Sequence, residues 1–318
     1  MYEKSDLIKF LMSEGDKRPN KVIVLGTHGG EFHQDDLLAT VVLMHELKPL
    51  GYRIHIIRSR NIPYLKENCD IIYDVGHGKY DHHDDDKVLY PNGIKMAACG
   101  KILNDVISDS EILDGLRMRL FYAVEASDNG QELPPNMDAS KLAFVPSFNP
   151  TWGEDRSDKA FYQRFMSVLP IVGNIYERIL NMVLWDLEAR NYVRDHGELI
   201  LDNKFMVLDK YCPTFEYAKM HWEFLGSVYP SEDQWTIRFS PSFRRRFETR
   251  ISAPPSWCGR FSPNKDYPAE DLKNFCPVEG ARFCHPAGFL ITFDKKEQAI
   301  EACKYILEYY EEQETMAN

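Results

Sequence analysis

Two clusters of histidines and acidic residues are the parts of this sequence best suited to chemistry. The first contains His28, His33 and Asp35, and the second runs Tyr80-Asp81-His82-His83-Asp84-Asp85-Asp86. Seven of the ten histidines fall between His28 and His83, and a solvated surface gives no reason for that concentration. Imidazole and carboxylate are the groups with which proteins bind divalent transition metals. The two clusters therefore indicate a metal site.

Asp74 adds a carboxylate to these clusters, because it ends the apolar run Ile71-Ile72-Tyr73. A turn or helix-cap acid is an alternative role for Asp74, and a solvated charge run is the interpretation we favour for Asp84, Asp85 and Asp86. Isolated histidines are usually surface or core residues. We therefore assign no ligand role to His45, His55, His77, His196 and His221.

Five residues from the ends of three predicted strands are enough ligands for two metal ions, if one carboxylate bridges the ions. These residues are His28, His33, Asp35, Asp74 and His82. Two-metal sites hold their ions about 3.5–4 Å apart and suit in-line displacement at phosphorus. Mixed nitrogen and oxygen ligation suits Mn²⁺, Co²⁺ or Zn²⁺ better than Mg²⁺, which prefers an all-oxygen shell. We expect two divalent ions, Mn²⁺ before Mg²⁺, Co²⁺ or Zn²⁺.

The elements that must position these residues are predicted by hydrophobic periodicity. Strands are predicted at 21–26, 53–58 and 71–75, and helices at 35–47, 94–108 and 111–126. Strands that alternate with helices favour a parallel sheet, so the predicted fold class is α/β. In such sheets ligands bind beyond the carboxyl ends of the strands, which is where both clusters lie.

The second half of the sequence has a different pattern. Residues 131–156 are rich in proline, asparagine and glycine and predict a loop or linker, and 160–203 is helical in pattern. Strands are then predicted at 204–208, 221–228 and 234–239 and around Pro286, with a loop at 253–271 and a helix at 295–312. We predict an N-terminal parallel-sheet domain over 1–155, a helical linker over 156–203 and a smaller α+β domain over 204–318.

Composition describes an ordinary globular protein of 318 residues, 44% of them hydrophobic and 27% charged. No apolar run predicts a membrane span, and residues 1–20 have no core for a signal peptide. The odd count of seven cysteines, without a C-x-x-C pair, favours reduced thiols. We expect a cytoplasmic protein by default, with nucleus or mitochondrion as alternatives. The sequence does not determine the oligomeric state.

Several segments resemble the melanocyte-proliferating-gene (MYG-type) exonuclease family. That family belongs to the DHH phosphoesterase superfamily, with the RecJ nucleases and the manganese-dependent inorganic pyrophosphatases. The N-terminal matches are Thr27-His28-x-Gly30-x-Phe32-His33-x-Asp35, Asp70-Ile71-Ile72-x-Asp74-Val75-Gly76, Tyr80-Asp81-His82-His83 and Val124-Glu125-Ala126-Ser127-Asp128-Asn129-Gly130. The C-terminal matches are Cys212-Pro213, Gln234-Trp235-x-Ile237, Phe247-x-x-Arg250 and His285-x-x-Gly288-Phe289. The shared order over roughly 260 residues makes the resemblance specific.

The resemblance implies residue roles that the residues alone leave open. Asp128 becomes a sixth metal ligand, where the sequence by itself indicates only a turn acid before Asn129-Gly130. One ion would be held by His28, His33 and Asp74, and the other by Asp35, Asp74, His82 and Asp128, with Asp74 as the bridge. His83 would face the substrate phosphate as donor or acid, with Asp81 orienting a histidine. Substrate would be bound by Arg250, His285 and Gly288.

The function that the resemblance implies is a metal-dependent phosphodiesterase. We expect a 3′-5′ exonuclease that acts on RNA or single-stranded DNA through water activated by two metals, with a role in RNA processing. The alternatives are a small-molecule phosphoesterase for pyrophosphate or short oligonucleotides, and a non-catalytic metal-binding protein. The net charge of −11 favours a small substrate. A basic strip favours a strand, and consists of Arg238, Arg244, Arg245, Arg246 and Arg250.

Three positions depart from the pattern of the resembled family. Asp36 stands where that family usually has Glu, and Cys258 follows Trp257 where it tends to have Arg. The family's glycine pair after Phe289 is absent, and Ile291 lies nearby instead. Glycine would let the backbone approach a ligand more closely than isoleucine does. The departures leave the predicted metal ligands in place and fall mainly on the substrate-binding half.

Overall fold

The structure of the chain is a computed structural model that describes residues 4–83, 88–135, 137–243, 248–261 and 271–317. The predicted charge run and most of the basic strip lie outside the described residues, as do Phe247 and part of the predicted loop 253–271. The residues of the charge run and of the basic strip that lie outside the described ranges are Asp84, Asp85, Asp86, Arg244, Arg245 and Arg246. The chain divides into two compact units, an N-terminal unit Met1–Leu184 and a C-terminal unit Trp185–Asn318. The predicted domain bounds at 155 and 203 stay a prediction.

The N-terminal unit is built on a three-stranded parallel sheet, as predicted. The strands are β1 (Val22–Thr27), β2 (Arg53–Arg58) and β3 (Ile71–Ile72), in the order β2-β1-β3. The helices are α1 (Asp6–Asp16), α2 (Gln34–Leu47), α3 (Ile62–Asn68), α4 (Ala98–Val106), α5 (Ser110–Leu116), α6 (Tyr122–Asp128) and the first part of α7 (Asp158–His196). The central strand β1 is apolar and buried, so its carboxyl end is held rigidly.

Three predicted elements of the N-terminal unit have different bounds in the structure. The strand predicted at 71–75 ends at Ile72, because Asp74 has a left-handed backbone with φ of 58°. The helix predicted at 94–108 begins at Ala98, because Ile94 and Met96 form backbone hydrogen bonds to Tyr90 and Val88. The helix predicted at 111–126 is interrupted by a π-helical turn, Arg117–Phe121, between α5 and α6.

The C-terminal unit contains a six-stranded sheet and has an α+β arrangement. Its strands follow the order β4-β5-β6-β7-β9-β8, where only the β5–β6 pair is parallel. They are β4 (Glu198–Ile200), β5 (Phe205–Val207), β6 (Gly226–Ser231), β7 (Gln234–Phe239), β8 (Ala281–Cys284) and β9 (Leu290–Phe293). Helices α8 (Phe215–Met220) and α9 (Lys296–Ala317) complete the unit. Apolar side chains of the sheet enter two separate buried clusters, so both of its faces are covered.

Two predictions for the C-terminal unit were partly wrong. The helix predicted to end at 203 ends at His196, because Glu198–Ile200 pairs with β5 as a strand. The strand predicted at 221–228 begins only at Gly226, after helix α8 and a turn. Among the described residues, the helices lack the combination of length and apolarity that a membrane-spanning segment needs.

Candidate metal centre

The predicted metal ligands lie at the carboxyl ends of β1 and β3. His28 directly follows β1, and His33 is the residue that caps the N-terminus of helix α2. Asp35 lies in the first turn of α2, fully buried. Parallel strands bring their carboxyl ends to one sheet edge, so Asp74 after β3 lies beside these residues. The elements therefore deliver ligands from separate parts of the sequence to one place.

Asp74 lies at the centre of the arrangement. Its carboxylate is 2% exposed, and its N–H donates to the carbonyl of Tyr80 at 2.9 Å. Its Oδ2 is 3.3 Å from Nε2 of His28, and its Oδ1 is 3.4 Å from Nδ1 of His82. The left-handed backbone at this position is one that aspartate tolerates better than most residues. Each carboxylate oxygen of Asp74 thus faces a different histidine.

The six predicted ligands form two groups of side chains that meet at Asp74. One group is His28, His33 and Asp74, and the other is Asp35, His82 and Asp128, with ligand atoms within 4.8 Å of one another in each group. A further cluster of the same kind joins Asp74 and His82 to Asp81 and His83. In the second group, Nε2 of His82 is 2.9 Å from Oδ2 of Asp128, and its Nδ1 is 3.7 Å from Oδ2 of Asp35. These clusters of imidazoles and carboxylates could hold metal ions.

Unpaired buried atoms indicate that divalent metal ions fit this site. Both carboxylate oxygens of Asp74, Nε2 of His28 and Nδ1 of His82 are buried and make no well-formed hydrogen bond in the described part of the chain, although the two nitrogens lie 3.2–3.4 Å from carboxylate oxygens. Buried polar atoms without a partner are costly, and a carboxylate more so than a neutral group. Cations among these atoms would satisfy both oxygens and both nitrogens.

The protonation of the metal-free cluster follows from the crowding of its carboxylates. Burial raises the pKa of Asp35 well above its usual range, and the neighbouring Asp74 and Asp128 raise it further. Burial opposes the charge of His28, but its contacts to Asp36 and Asp74 outweigh that effect and raise its pKa to about 10. Burial also raises the pKa of Asp74. Without cations the cluster therefore retains protons at neutral pH.

Asp36 and Arg58 form a supporting pair that the sequence reasoning did not assign. Oδ2 of Asp36 is 3.2 Å from Nε2 of His28 and 3.3 Å from Nη2 of Arg58. The Arg58 guanidinium lies 5.6 Å and 4.5 Å from the ring centroids of Phe32 and Phe165. Arg58 pairs with Thr27 in the sheet, so strand register was the signal that places it beside His28. In the metal-free cluster one oxygen of Asp36 therefore lies between two cationic groups, His28 and Arg58.

Asp81 and His83, the predicted catalytic residues, contact each other. Nδ1 of His83 is 2.7 Å from Oδ1 of Asp81, whose oxygens also accept from the N–H groups of His77 and His83. Burial opposes the charge of Asp81, but these hydrogen bonds outweigh it and lower its pKa to about 2. The side chain of His83 is 57% exposed and lies 3.9 Å from Oδ1 of Asp74. The imidazole is therefore accessible beside the ligand groups.

The three predicted substrate-binding residues lie in the C-terminal unit and have different surroundings. The Arg250 guanidinium donates to backbone carbonyls, at 2.5 Å to Ala218, 2.6 Å to His221 and 2.8 Å to Phe224. His285 lines a cavity of about 750 Å³ and packs against Phe289 with the rings tilted by 44° and their centroids 4.1 Å apart. Gly288 has φ of 69° in the turn between them. Their roles in substrate binding stay predictions, and for Arg250 the structure adds a structural role.

The parallel sheet with a histidine and carboxylate cluster at its edge defines a candidate metal-binding α/β protein. A family model named MYG1_exonuc, described as "Uncharacterised protein family (UPF0160)", matches residues 24–307. The chain therefore belongs to this family, as its motifs predicted.

Relatives from bacteria and eukaryotes match the chain along most of their length. The MYG1 protein of Chlamydia trachomatis is 25% identical over 306 residues, which cover 89% of this chain and 96% of the relative. A MYG1 protein of Schizosaccharomyces pombe is 25% identical over 331 residues, covering 91% and 99% of the two chains. The protein named MYG1 exonuclease in Rattus norvegicus is 26% identical over 358 residues, covering 93% and 90%.

Among solved structures, RecJ of Thermus thermophilus in complex with Mg²⁺ matches with a TM-score of 0.26 and 13% identity. The match covers 96% of this chain and 51% of RecJ, so the chain spans about half the length of that protein.

Proposed function

We propose that this chain is a metal-dependent phosphodiesterase that acts as an exonuclease on RNA or single-stranded DNA. The observation that carries the proposal is the bridging geometry of Asp74, whose two unpaired oxygens face His28 and His82. Membership in a family whose rat and mouse members are named MYG1 exonuclease supports it. The chain is on these grounds a hydrolase of the nuclease or phosphoesterase class.

The ion sites follow the two groups of ligands. His28, His33 and Asp74 would hold one divalent ion, and Asp35, His82 and Asp128 would hold the other together with Asp74. When bound, such ions neutralise charge that develops on a phosphoryl group and activate water as the nucleophile. The mixed nitrogen and oxygen ligand set favours Mn²⁺, with Mg²⁺, Co²⁺ and Zn²⁺ as alternatives.

The residues beside the ligands supply positioning and proton transfer. Because Asp81 accepts from Nδ1 of His83, the other ring nitrogen, Nε2, is left to meet a substrate oxygen. In its imidazolium form, with a proton on each ring nitrogen, His83 would donate the Nε2 proton to the leaving oxygen or hold the scissile phosphate there. The carboxylates of Asp36 and Asp74 approach the same nitrogen of His28, Nε2, while Nδ1 of that ring faces the carbonyl of Gly29 at 3.3 Å.

A specific observation supports the second candidate, a phosphoesterase for short oligonucleotides. The cavity beside His285 is about 750 Å³, which is within the usual range for a small-molecule ligand. Arg238 lies over the Phe289 ring at 5.8 Å and also lines this cavity. A single nucleotide unit could stack on such rings with its phosphate near a cation.

The test is hydrolysis of RNA, single-stranded DNA and pyrophosphate, side by side, by the purified full-length chain with Mn²⁺. RNA and DNA labelled at the 5′ or 3′ end would report the polarity, and Asp74→Asn is the inactive control. We expect mononucleotides to be released from RNA or DNA only when metal is present. Pyrophosphate or dinucleotide hydrolysis alone would favour the small-substrate candidate. No hydrolysis by a protein that binds its ions would indicate a non-catalytic metal-binding protein.

A further inference from the structure

The carboxylate of Asp35 is held by the first turn of helix α4. The N–H of Ala98 donates to its Oδ2 at 3.1 Å, and the N–H of Cys99 donates to its Oδ1 at 2.7 Å. A helix N-terminus stabilises negative charge through such N–H groups. Each carboxylate oxygen has two lone pairs, so Asp35 can accept these bonds and still ligate an ion. The position of α4 therefore decides where the ligand oxygens of Asp35 lie.

Glu125 holds the same turn of α4 from helix α6. Its Oε1 accepts from the N–H of Ala97 at 2.9 Å and from the hydroxyl of Tyr90 at 3.2 Å. The side chain is fully buried, and it lies three residues before Asp128 on α6. Glu125 thus joins α4, which holds Asp35, to α6, which carries Asp128.

Gly100 provides the space for this contact. A Cβ at position 100 would overlap Oε1 of Glu125 and would lie 2.6 Å from the Tyr90 hydroxyl oxygen. Glycine inside a helix is unfavourable compared with alanine, so its presence in α4 is explained by the carboxylate beside it. The next residue, Lys101, donates to the carbonyl of Asp81, directly before His82. Helix α4 therefore contacts the segments that carry all three ligands of the second group.

We infer that Glu125 is a positioning residue for the ion held by Asp35, His82 and Asp128, an inference that rests on the function proposed above. Its Oε1 bonds to Ala97 and Tyr90, and it is separate from the two ligand groups. Glu125 fixes the distance between α4 and α6, and so the spacing of Asp35 and Asp128. The larger effect falls on this ion, because Asp35 and Asp128 are two of its ligands, whereas among the described residues the other ion meets α6 only through the 3.8 Å approach of Nδ1 of His33 to Oδ1 of Asp128.

The test is Mn²⁺ binding to the full-length protein without substrate, measured by calorimetry and by the electron paramagnetic resonance of free Mn²⁺. Glu125→Ala should weaken one of two binding events by about tenfold or more, the size seen when residues behind metal ligands are removed. Gly100→Ala should do the same by displacing the carboxylate. Glu125→Gln keeps an acceptor oxygen for Ala97 and should restore most of the affinity. The double variant Gly100→Ala/Glu125→Ala should be no weaker than Glu125→Ala.

The matched control is Asp109→Ala, which removes a carboxylate that accepts from the first turn of helix α5 at 2.9 Å and 3.1 Å. It should lower thermal stability but leave both binding events unchanged. Two events of normal affinity in Glu125→Ala, or an equal loss of both, would overturn the inference and leave the proposed function standing. If Glu125→Ala does not fold, normal binding by Gly100→Ala overturns it. A wild-type protein that binds no metal would refute the proposed function itself.

Discussion

Asp74 is the residue on which both groups of ligands depend, because its two oxygens face histidines of different groups. We predict that Asp74→Asn abolishes binding of both ions and any hydrolysis, since one negative charge and one ligand oxygen are lost between two dications. The metal-free variant should stay folded with little change in stability, because the lost contact with His28 is offset by the removal of a carboxylate whose charge burial disfavours. Calorimetry with Mn²⁺ and thermal unfolding in EDTA measure the two effects.

A matched control for Asp74→Asn is Asp70→Asn, because Asp70 directly precedes strand β3 and Asp74 follows it. Asp70 pairs with Arg18 at 2.6 Å and accepts from the N–H of Val24 at 2.7 Å. Its loss should reduce stability while metal binding persists. Retention of either ion at normal affinity by Asp74→Asn would contradict the bridging role.

Arg58 is a buried cation whose partners support His28. We predict that Arg58→Met destabilises the N-terminal unit by about 1.5–3 kcal/mol, because the buried carboxylate of Asp36 loses one of its two cationic partners and keeps only His28. Its metal affinity should also fall, since a displaced Asp36 carboxylate would move His28, whose Nε2 it contacts at 3.2 Å. Chemical denaturation in EDTA and Mn²⁺ titration measure these effects separately.

Arg60→Met is the control for Arg58, since Arg60 is exposed and donates to the neighbouring carbonyl of Gly29. It should change stability by less than about 0.5 kcal/mol. Equal effects of the two substitutions would show that the buried pair has no special role.

At the scale of elements, local pattern was enough to predict most strands but not the backbone that follows them. The strand at 53–58 was predicted with its observed ends, because apolar β-branched residues there are bounded by turn residues. The left-handed conformation of Asp74 could not be predicted, because it depends on the contact with Tyr80. Glu198–Ile200 was predicted as helix because the predicted helix was extended through Asp202-Asn203, which instead forms part of the positive-φ turn of a hairpin between β4 and β5.

The candidate site also contains some residues that local sequence could predict and others that it could not. Ligand types and strand ends indicated five of the ligands from the residues themselves, and the family resemblance added Asp128. Arg58, Glu125 and Gly100 act through packing and backbone hydrogen bonds, so their side-chain types alone carried no signal of a metal site. For Arg58, the pairing of strands β1 and β2 was the signal that could have placed it near His28. For Glu125, the only signal was its place in the motif that contains Asp128.

Arg250 stabilises the end of helix α8 and the turn after it. We predict that Arg250→Ala lowers the stability of the C-terminal unit by on the order of 2 kcal/mol, because the carbonyls of Ala218, His221 and Phe224 lose a charged donor. Metal affinity should be nearly unchanged, and any loss of substrate use should be measured at a temperature where the variant is folded.

Thermal unfolding and Mn²⁺ titration are the measurements for Arg250→Ala. Arg194→Ala is its control, because that guanidinium pairs with the adjacent and exposed Asp195. An Arg250→Ala protein as stable as Arg194→Ala would show that the carbonyl contacts are not stabilising. Weakened substrate use in such a stable variant would support the predicted role in phosphate binding.

For the molecule as a whole, a net charge of −11 opposes the binding of nucleic acid by charge alone. Dications at the cluster would offset part of this charge where the substrate is held. Substrate affinity should consequently depend on metal more strongly than on the surface charge of the chain. The same cluster links metal binding to protons and to stability, because its ligands must lose protons before they hold ions.

We predict that saturating Mn²⁺ raises the unfolding temperature by roughly 5–10 °C, from about 2.7 kcal/mol of linkage at a hundredfold excess over Kd. The shift should be larger at pH 8 than at pH 6, because His28, whose pKa is raised to about 10, carries a proton that the ion must displace.

In EDTA, the contribution of His28 to the free energy of unfolding should have the opposite dependence on pH. Protonated His28 contributes its full stabilisation below the ordinary pKa of 6.5, and that contribution is lost as the pH rises toward 10. Differential scanning calorimetry across this pH range, with Mn²⁺ and with EDTA, measures both pH dependences. The Asp74→Asn variant is the control and should show no shift with Mn²⁺. A shift independent of pH, or retained in Asp74→Asn, would place the stabilising ion elsewhere.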